Sequence, residues 1–320
     1  MARNVIDSAI LLKRETVAGI DSVPTGVANA LRVYDQSVEP FNAEYVTNEY
    51  LRAYAGGFSE LVGYVLKKVS FKINLAGAGS AGAVPAFSDA LRACALSEAI
   101  SVGSRVEYAP VDSNEESATI YYYDSGVVYK LLYAKGDWEI VQPVGEKPYI
   151  ALTYVGLDGG VVAVANTPAT TLTAWRDPLV VTETNTGDLT IGCSYSLAAL
   201  TGGAGYVSKG ISWKSNNGIF HNKMLGGEAV AIDRKAITGS VELDLTAGQE
   251  VTMETAVRAS TLQSFGLQHG SSAGSKIITF APAVQMKTPR PVNSNGRRNI
   301  AYDLVAVPVS GNDEFRLVVA

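Results

Sequence analysis

Val69-Ser70-Phe71-Lys72-Ile73-Asn74-Leu75-Ala76-Gly77 puts Val69, Phe71, Ile73 and Leu75 on one face of an extended chain, and Ser70, Lys72 and Asn74 on the other. Successive side chains of a strand point to opposite faces, so this period of two reads as a strand with one side in a core. Ser240-Val241-Glu242-Leu243-Asp244-Leu245-Thr246-Ala247-Gly248 repeats the pattern, and each copy runs into a segment with helical spacing. The first such segment is 85–96, with Pro85 early and Phe87, Leu91, Cys94 and Ala95 along one face; the second is 250–259.

Two more echoes follow in the same order. Gly103-Ser104-Arg105-Val106-Glu107-Tyr108-Ala109-Pro110 is answered by Gly274-Ser275-Lys276-Ile277-Ile278-Thr279-Phe280-Ala281-Pro282, and Ile150-Ala151-Leu152-Thr153-Tyr154-Val155 by Ile300-Ala301-Tyr302-Asp303-Leu304-Val305. Further strands are expected over 31–41, 117–123, 127–133 and 149–155, with Asp124-Ser125-Gly126 as a hairpin turn. Ordered echoes of this kind predict a mainly β chain holding two tandem copies of one domain, each with one flanking α-helix. The predicted divisions are an arm over 1–27 that lies on a neighbouring subunit, copy 1 over 28–158, a connector over 159–205 containing Pro168 and Pro178, and copy 2 over 206–320.

Composition narrows the function classes. Charged residues make up 18% of the 320, below the roughly 25% of an average soluble domain, and apolar residues 47%, so part of the surface is expected to be covered by other subunits. A formal net charge of −5 argues against gripping duplex DNA, which requires clustered Lys and Arg to displace phosphate counterions. Cys94 and Cys193 stand far apart and in no metal-binding spacing, which suits a reducing cytoplasm. Only the short stretch 9–12 near the start is apolar, so neither a signal peptide nor a membrane span is expected.

The chemical motifs have plainer readings. Gly77-x-Gly79-x-x-Gly82 has the dinucleotide spacing between a strand and a helix, but its flanking strands alternate instead of forming the continuous apolar runs of a parallel sheet, so it reads as a loop. Gly270-Ser271-Ser272-Ala273-Gly274 has the GxSxG spacing beside His269, yet a strand follows it where a nucleophile elbow needs a helix. His221 and His269 are read as surface polar residues, Glu115-Glu116 and Arg297-Arg298 as solvated charges, and Cys94 as a small core residue. No catalytic, metal or cofactor site is expected. The segment 42–63 is different: Tyr45, Tyr50, Arg52, Tyr54, Phe58 and Leu61 crowd an apparent loop, and such a loop either packs on its own sheet or seeks a partner. Its counterpart in the second copy, 225–233, is shorter.

Leu11-Leu12-Lys13-Arg14-Glu15-Thr16, Pro24-Thr25-Gly26, Asn29-Ala30-Leu31, Leu75-Ala76-Gly77-Ala78-Gly79, Leu91-Arg92-Ala93-Cys94, Tyr108-Ala109-Pro110-Val111, Tyr121-Tyr122-Tyr123 and Gly226-Gly227-Glu228 occur in an order that resembles the tail tube (major tail) proteins of long-tailed bacteriophages. The resemblance covers most of the chain and is weakest over 161–205. It implies tail-tube-type β-sandwich domains whose sheets join side by side into rings around a channel, with the rings stacked into a tube that conducts the viral genome. Two copies per chain imply a trimeric ring of pseudo-sixfold symmetry, with a hexamer as the alternative. An acidic channel would repel phosphate, so double-stranded DNA would pass without specific binding. The tape measure and terminator proteins would be partners, the virion tail the location, and the six residues named from 42–63 the contact between rings. Competing readings are another virion ring protein, such as a tail terminator or distal tail protein, or a β-sandwich module that binds a receptor or carbohydrate. A hydrolase would have only Ser272 with His269 to work with.

Overall fold

The computed structural model describes residues 7–320 and is mainly β. The first half runs β1 (Ser8–Arg14), α1 (Gly26–Asn29), β2 (Val33–Thr47), β3 (Glu60–Asn74), α2 (Ser88–Arg92), β4 (Leu96–Ser101), β5 (Arg105–Pro110), β6 (Ala118–Asp124), β7 (Val127–Pro143) and β8 (Tyr149–Ala163). Four short strands follow: β9 (Leu189–Ile191), β10 (Ser194–Ser196), β11 (Ala199–Thr201) and β12 (Ala204–Tyr206). The second half runs β13 (Ser208–Lys214), β14 (Ile219–Met224), β15 (Gly227–Ile232), β16 (Thr238–Leu243), α3 (Ala247–Arg258), β17 (Leu262–His269), β18 (Ile277–Ser294), β19 (Arg297–Ala306) and β20 (Arg316–Val319).

One long antiparallel sheet organises the molecule. Its central strands lie in the order β18-β19-β16-β13-β7-β8-β3-β2. The quartets β18-β19-β16-β13 and β7-β8-β3-β2 follow the chain in the same sense, joined where β13 pairs with β7 over Gly210–Lys214 and Glu139–Pro143. The sequence echoes keep their register. Ile73 faces Ile150 and Phe71 faces Leu152, while Leu243 faces Ile300 and Val241 faces Tyr302. Ser37 faces Ser70 just after a bulge in β2, and Ser212 faces Ser240 just after a bulge in β13. Asp35 (φ +51°) and Gly210 (φ +103°) take the left-handed conformation at those bulges.

A second set of strands packs on one face of this sheet. The C-terminal β20 lies between β5 and the first part of β18, with Val319 opposite Val106 on one side and Ile277 on the other. Those two residues are aligned by the second sequence echo. The core is shared between the halves: Phe315 packs on Trp138 (ring centroids 4.9 Å apart) and Trp213 (5.8 Å), and all three are buried. Burying rings of this size removes well over 100 Å² each from water, at roughly 25 cal/mol per Å².

Several expectations change. Within the expected arm, residues 8–14 form β1, which pairs with β6 of the same chain and buries Ile10, Leu11 and Leu12. Residues 1–6 of the expected arm lie outside the described residues. The helix expected over 85–96 shrinks to α2, because the Tyr154 hydroxyl takes the Ala90 carbonyl (2.7 Å) and the Gly136 amide takes the Ala93 carbonyl (2.9 Å). Ala95, at φ +59°, then turns the chain out. The second helix forms as expected, opened by a capping box in which Thr246 and Gln249 satisfy each other's backbone amides. The connector is partly structured: β9 pairs with β12 and β17 and so extends the long sheet, and Leu189 and Ile191 enter the core.

Candidate assembly surfaces

The segment 42–63 is a hairpin whose two flanks are strand and whose tip is loop. β2 and β3 continue past the sheet body as a two-stranded arm, with Tyr45 opposite Val62, Val46 opposite Leu61 and a tip over 48–59. Where the arm leaves the body, the buried Lys67 ammonium meets the Asp158 carboxylate (2.5 Å) and the Gly160 carbonyl (2.7 Å). Its tip gathers four of the six expected residues. The Arg52 guanidinium stands over the rings of Phe58 (4.2 Å) and Tyr54 (4.9 Å), donates to the carbonyls of Gly56 and Gly57, and Phe58 meets Tyr50 edge-on at 5.6 Å. Tyr45 and Leu61 sit lower on the arm, away from this cluster. Exposure remains high: Tyr45 53%, Tyr50 56%, Tyr54 66% and Leu61 56%, so the arm is not folded back on its own sheet. An exposed apolar surface of this kind is the usual mark of an interaction site.

The shorter insert of the second half is a hairpin, β14–β15, and it braces the arm. Lys223 pairs with Glu44 of the arm, and His221 meets the Tyr64 ring edge-on at 5.1 Å while holding Glu228 at 2.7 Å. His221, expected at the surface, has a side chain only 6% exposed as a result.

The face of the long sheet turned away from the core is polar and largely self-neutralised. Lys68 pairs with Glu39 (3.4 Å), Lys72 with Asp35 (3.0 Å), and Arg290 holds Asp303 through two hydrogen bonds (2.8 and 2.7 Å). Ser37, Ser70, Thr153, Ser212 and Ser240 fill the space between, with Glu139 and Glu242 as further acids.

Both motif look-alikes turn out to be one packing device. The Gly79 amide donates to the Gly274 carbonyl (2.8 Å), and a Cβ on Gly77 would sit 2.1 Å from that same oxygen. The glycines of GxGxxG and GxSxG thus let two loops from opposite halves touch backbone to backbone. His269 is buried, not surface-exposed: its ring nitrogens meet Thr186 Oγ1 (2.8 Å) and the Leu179 carbonyl (3.2 Å), and burial lowers its pKa against the opposing effect of that carbonyl. Ser272 is exposed. Glu115 and Glu116 are not solvated either. Glu115 binds Lys135 and Lys235, and Glu116 binds Arg14 and Arg92, because the segment before β6 is pressed against β7, α2 and the approach to β16. Arg297 and Arg298 pair with Asp244 and Glu250. Cys94 is a buried core residue whose thiol pKa burial raises strongly.

Among the described residues no group of three or more His, Cys, Asp or Glu is arranged to hold a metal, and no helix is long and apolar enough to cross a membrane. No protein-family model matches this chain, and no curated protein matches it.

Proposed function

We propose that this chain is a structural subunit of a bacteriophage tail tube, in which three chains close a ring of pseudo-sixfold symmetry and rings stack into a channel for the viral genome. The observation that carries the reading is the in-line order of the two strand quartets, with echo-aligned residues in the same register and β13 of one quartet pairing with β7 of the other. Such a head-to-tail junction is heterologous, so repeating it between chains adds subunits until rotation closes the ring. On this reading the chain is two tail-tube-type β-sandwich copies, and the first ring junction is already made inside it.

The sheet face away from the core would line the channel. Paired charges and small hydroxyls offer phosphate neither a basic stripe nor a sticky apolar wall, so DNA would slide without specific binding. The exposed arm, with Tyr50, Arg52, Tyr54 and Phe58 at its tip, would reach the next ring.

Electron microscopy of concentrated purified protein, with mass measurement, tests the reading. Hollow tubes or stacked rings of three chains are expected. Six chains per ring would remove the pseudo-sixfold arrangement and keep the tube, and a monomer at every concentration would remove the tube.

A further inference from the structure

The sheet ends in two open edges, and the in-chain junction specifies how they meet. Among the described residues β2 pairs only with β3, and residues 287–294 of β18 pair only with β19. These are the counterparts of the two strands already joined inside the chain. Ser37 corresponds to Ser212, since each faces the serine of its echo, and Pro291 corresponds to Ile140, since they face Ile300 and Ile150. Both open edges are exposed where their in-chain counterparts are half-buried or buried: 35–37 and 287–291 against 139–142 and 210–213.

We infer that a second copy of this chain docks its β2 on residues 290–294 of β18 in the register of the in-chain junction, placing Asp35 opposite Ser294, Ser37 opposite Val292 and Glu39 opposite Arg290. This rests on the tube reading and fixes its seam. Inside the chain the matching pairs are Gly210 with Pro143, Ser212 with Val141 and Lys214 with Glu139, so the last is a pair of opposite charges with its signs exchanged at the seam. Glu39 already holds Lys68, and Arg290 already holds Asp303. Docking completes a row that alternates in sign across four strands, Asp303 and Arg290 of one chain beside Glu39 and Lys68 of the next. A slip by one residue would carry Glu39 to the opposite face from Arg290 and break that row. Pro289 and Pro291 remove backbone donors from this edge, and Pro40 lies just beyond the docking stretch of β2. Proline on an edge suppresses promiscuous strand pairing, and here it leaves a junction that the charge row must select.

Disulfide trapping reads the register. In the in-chain junction the Ser215 amide donates to the Trp138 carbonyl and the Val144 amide to the Lys209 carbonyl, so even-numbered β7 residues carry the hydrogen bonds. Ser212 with Val141 is then a non-hydrogen-bonded pair, with Cα atoms about 4.5 Å apart, within reach of a disulfide. The Ser37→Cys/Val292→Cys double variant, assembled and treated with a thiol oxidant, is expected to give three covalently linked chains and nothing larger, while Ser37→Cys/Arg290→Cys and Ser37→Cys/Ser294→Cys link poorly. Arg290→Glu alone should weaken association by up to about fivefold per junction, through like charges facing across the seam. Rings in which a control pair links and the 37/292 pair does not would overturn the register and leave the tube. Folded variants, judged by an unchanged melting temperature, that form no ring would overturn both.

Discussion

Glu115 Oε1 lies 2.8 Å from the Lys235 ammonium, and Oε2 of the same carboxylate lies 2.8 Å from the Lys135 ammonium. Lys135 belongs to β7 and Lys235 to the segment entering β16, so one carboxylate clamps the first half of the chain to the second. The three side chains are 13%, 11% and 9% exposed. Burial alone would raise the Glu115 pKa, but hydrogen bonds and charge from the two lysines hold it below the usual carboxylate range. Glu115→Gln leaves two ammonium groups facing a neutral amide, and should cost about 3 kcal/mol. The check is chemical denaturation: the midpoint should fall while the slope stays that of the parent.

Acid should loosen the same seam. Glu107 on β5 is held below its ordinary value of 4.5: burial pushes the other way, and Arg105, Tyr195 and Arg316 together overcome it. Arg316 lies on β20, which makes this a second tie between the halves. A carboxylate whose pKa is lower in the folded state binds fewer protons there, so its stabilisation is complete above the unfolded value and is lost as pH falls through the folded one. Stability measured from pH 7 down to pH 2 should therefore drop below about pH 4.5, and Glu115→Gln should flatten that drop.

Glu314 should behave in the opposite sense. Burial, helped by Asp112 and Asp313, raises its pKa against the attraction of Lys235, and its Oε2 finds no hydrogen-bond partner. An acid with a raised folded pKa penalises the fold once pH rises through that value. Glu314→Gln should thus stabilise the protein at pH 7, by about 1 kcal/mol, and make no difference at a pH where both forms are neutral. Equal melting temperatures at pH 7 would count against the assignment.

These ties were not legible in the sequence, and the reason is physical. Strands with one buried face announce themselves by alternation, which is why the expected 69–75, 117–123, 127–133 and 149–155 coincide, to within a residue at their ends, with parts of β3, β6, β7 and β8. Echoed segments could also be aligned, and the structure pairs their residues in matching registers. Charged residues carry no such period. Glu115 and Glu116 look solvated until the fold brings Lys135 and Arg92 beside them from distant positions, whereas Arg297 and Arg298 stay solvated at the β18–β19 turn, 79% and 68% exposed, while pairing with Asp244 and Glu250. The helix over 85–96 failed because Tyr154 and Gly136, more than 40 residues on, take its carbonyls. At the arm, the density of aromatics marked a segment that the structure leaves exposed but did not reveal a hairpin, since the bulges within β2 break its alternation.

Gly274 joins two requirements that only glycine meets. Its φ is +81°, and a Cβ there would lie 2.4 Å from the Gly79 carbonyl carbon and the Ser80 amide nitrogen. Both neighbours are backbone, so relief means moving the contact between the halves. Gly274→Ala should cost about 2 kcal/mol or more, combining left-handed strain with the clash. Gly296 has a similar φ of +83° with open space around it, so Gly296→Ala should cost only the strain. Comparing the two melting temperatures isolates the close approach: equal losses would mean that the loops do not press together in solution.

The arm tip is the remaining surface whose loss should be selective. Residues 48–59 lie beyond the last arm pair, Thr47 with Glu60, and Arg52 is held by aromatic faces and carbonyls of the tip itself. Nothing in the sheet body depends on it. Replacing 49–58 with a two-residue Asn-Gly turn should leave the melting temperature and ring formation unchanged, because that turn suits a two-residue hairpin. On the proposed tube reading, stacking should then fail, giving single rings where the parent is expected to form tubes. Arg52→Ala is the milder version: it removes two exposed cation–π contacts, each about 0.5–1 kcal/mol, and should loosen the tip and shorten tubes without changing rings. Tubes of parental length from the deletion variant would show that rings stack through another surface, and the exposed Tyr45 and Leu61 lower on the arm would then be the next to change.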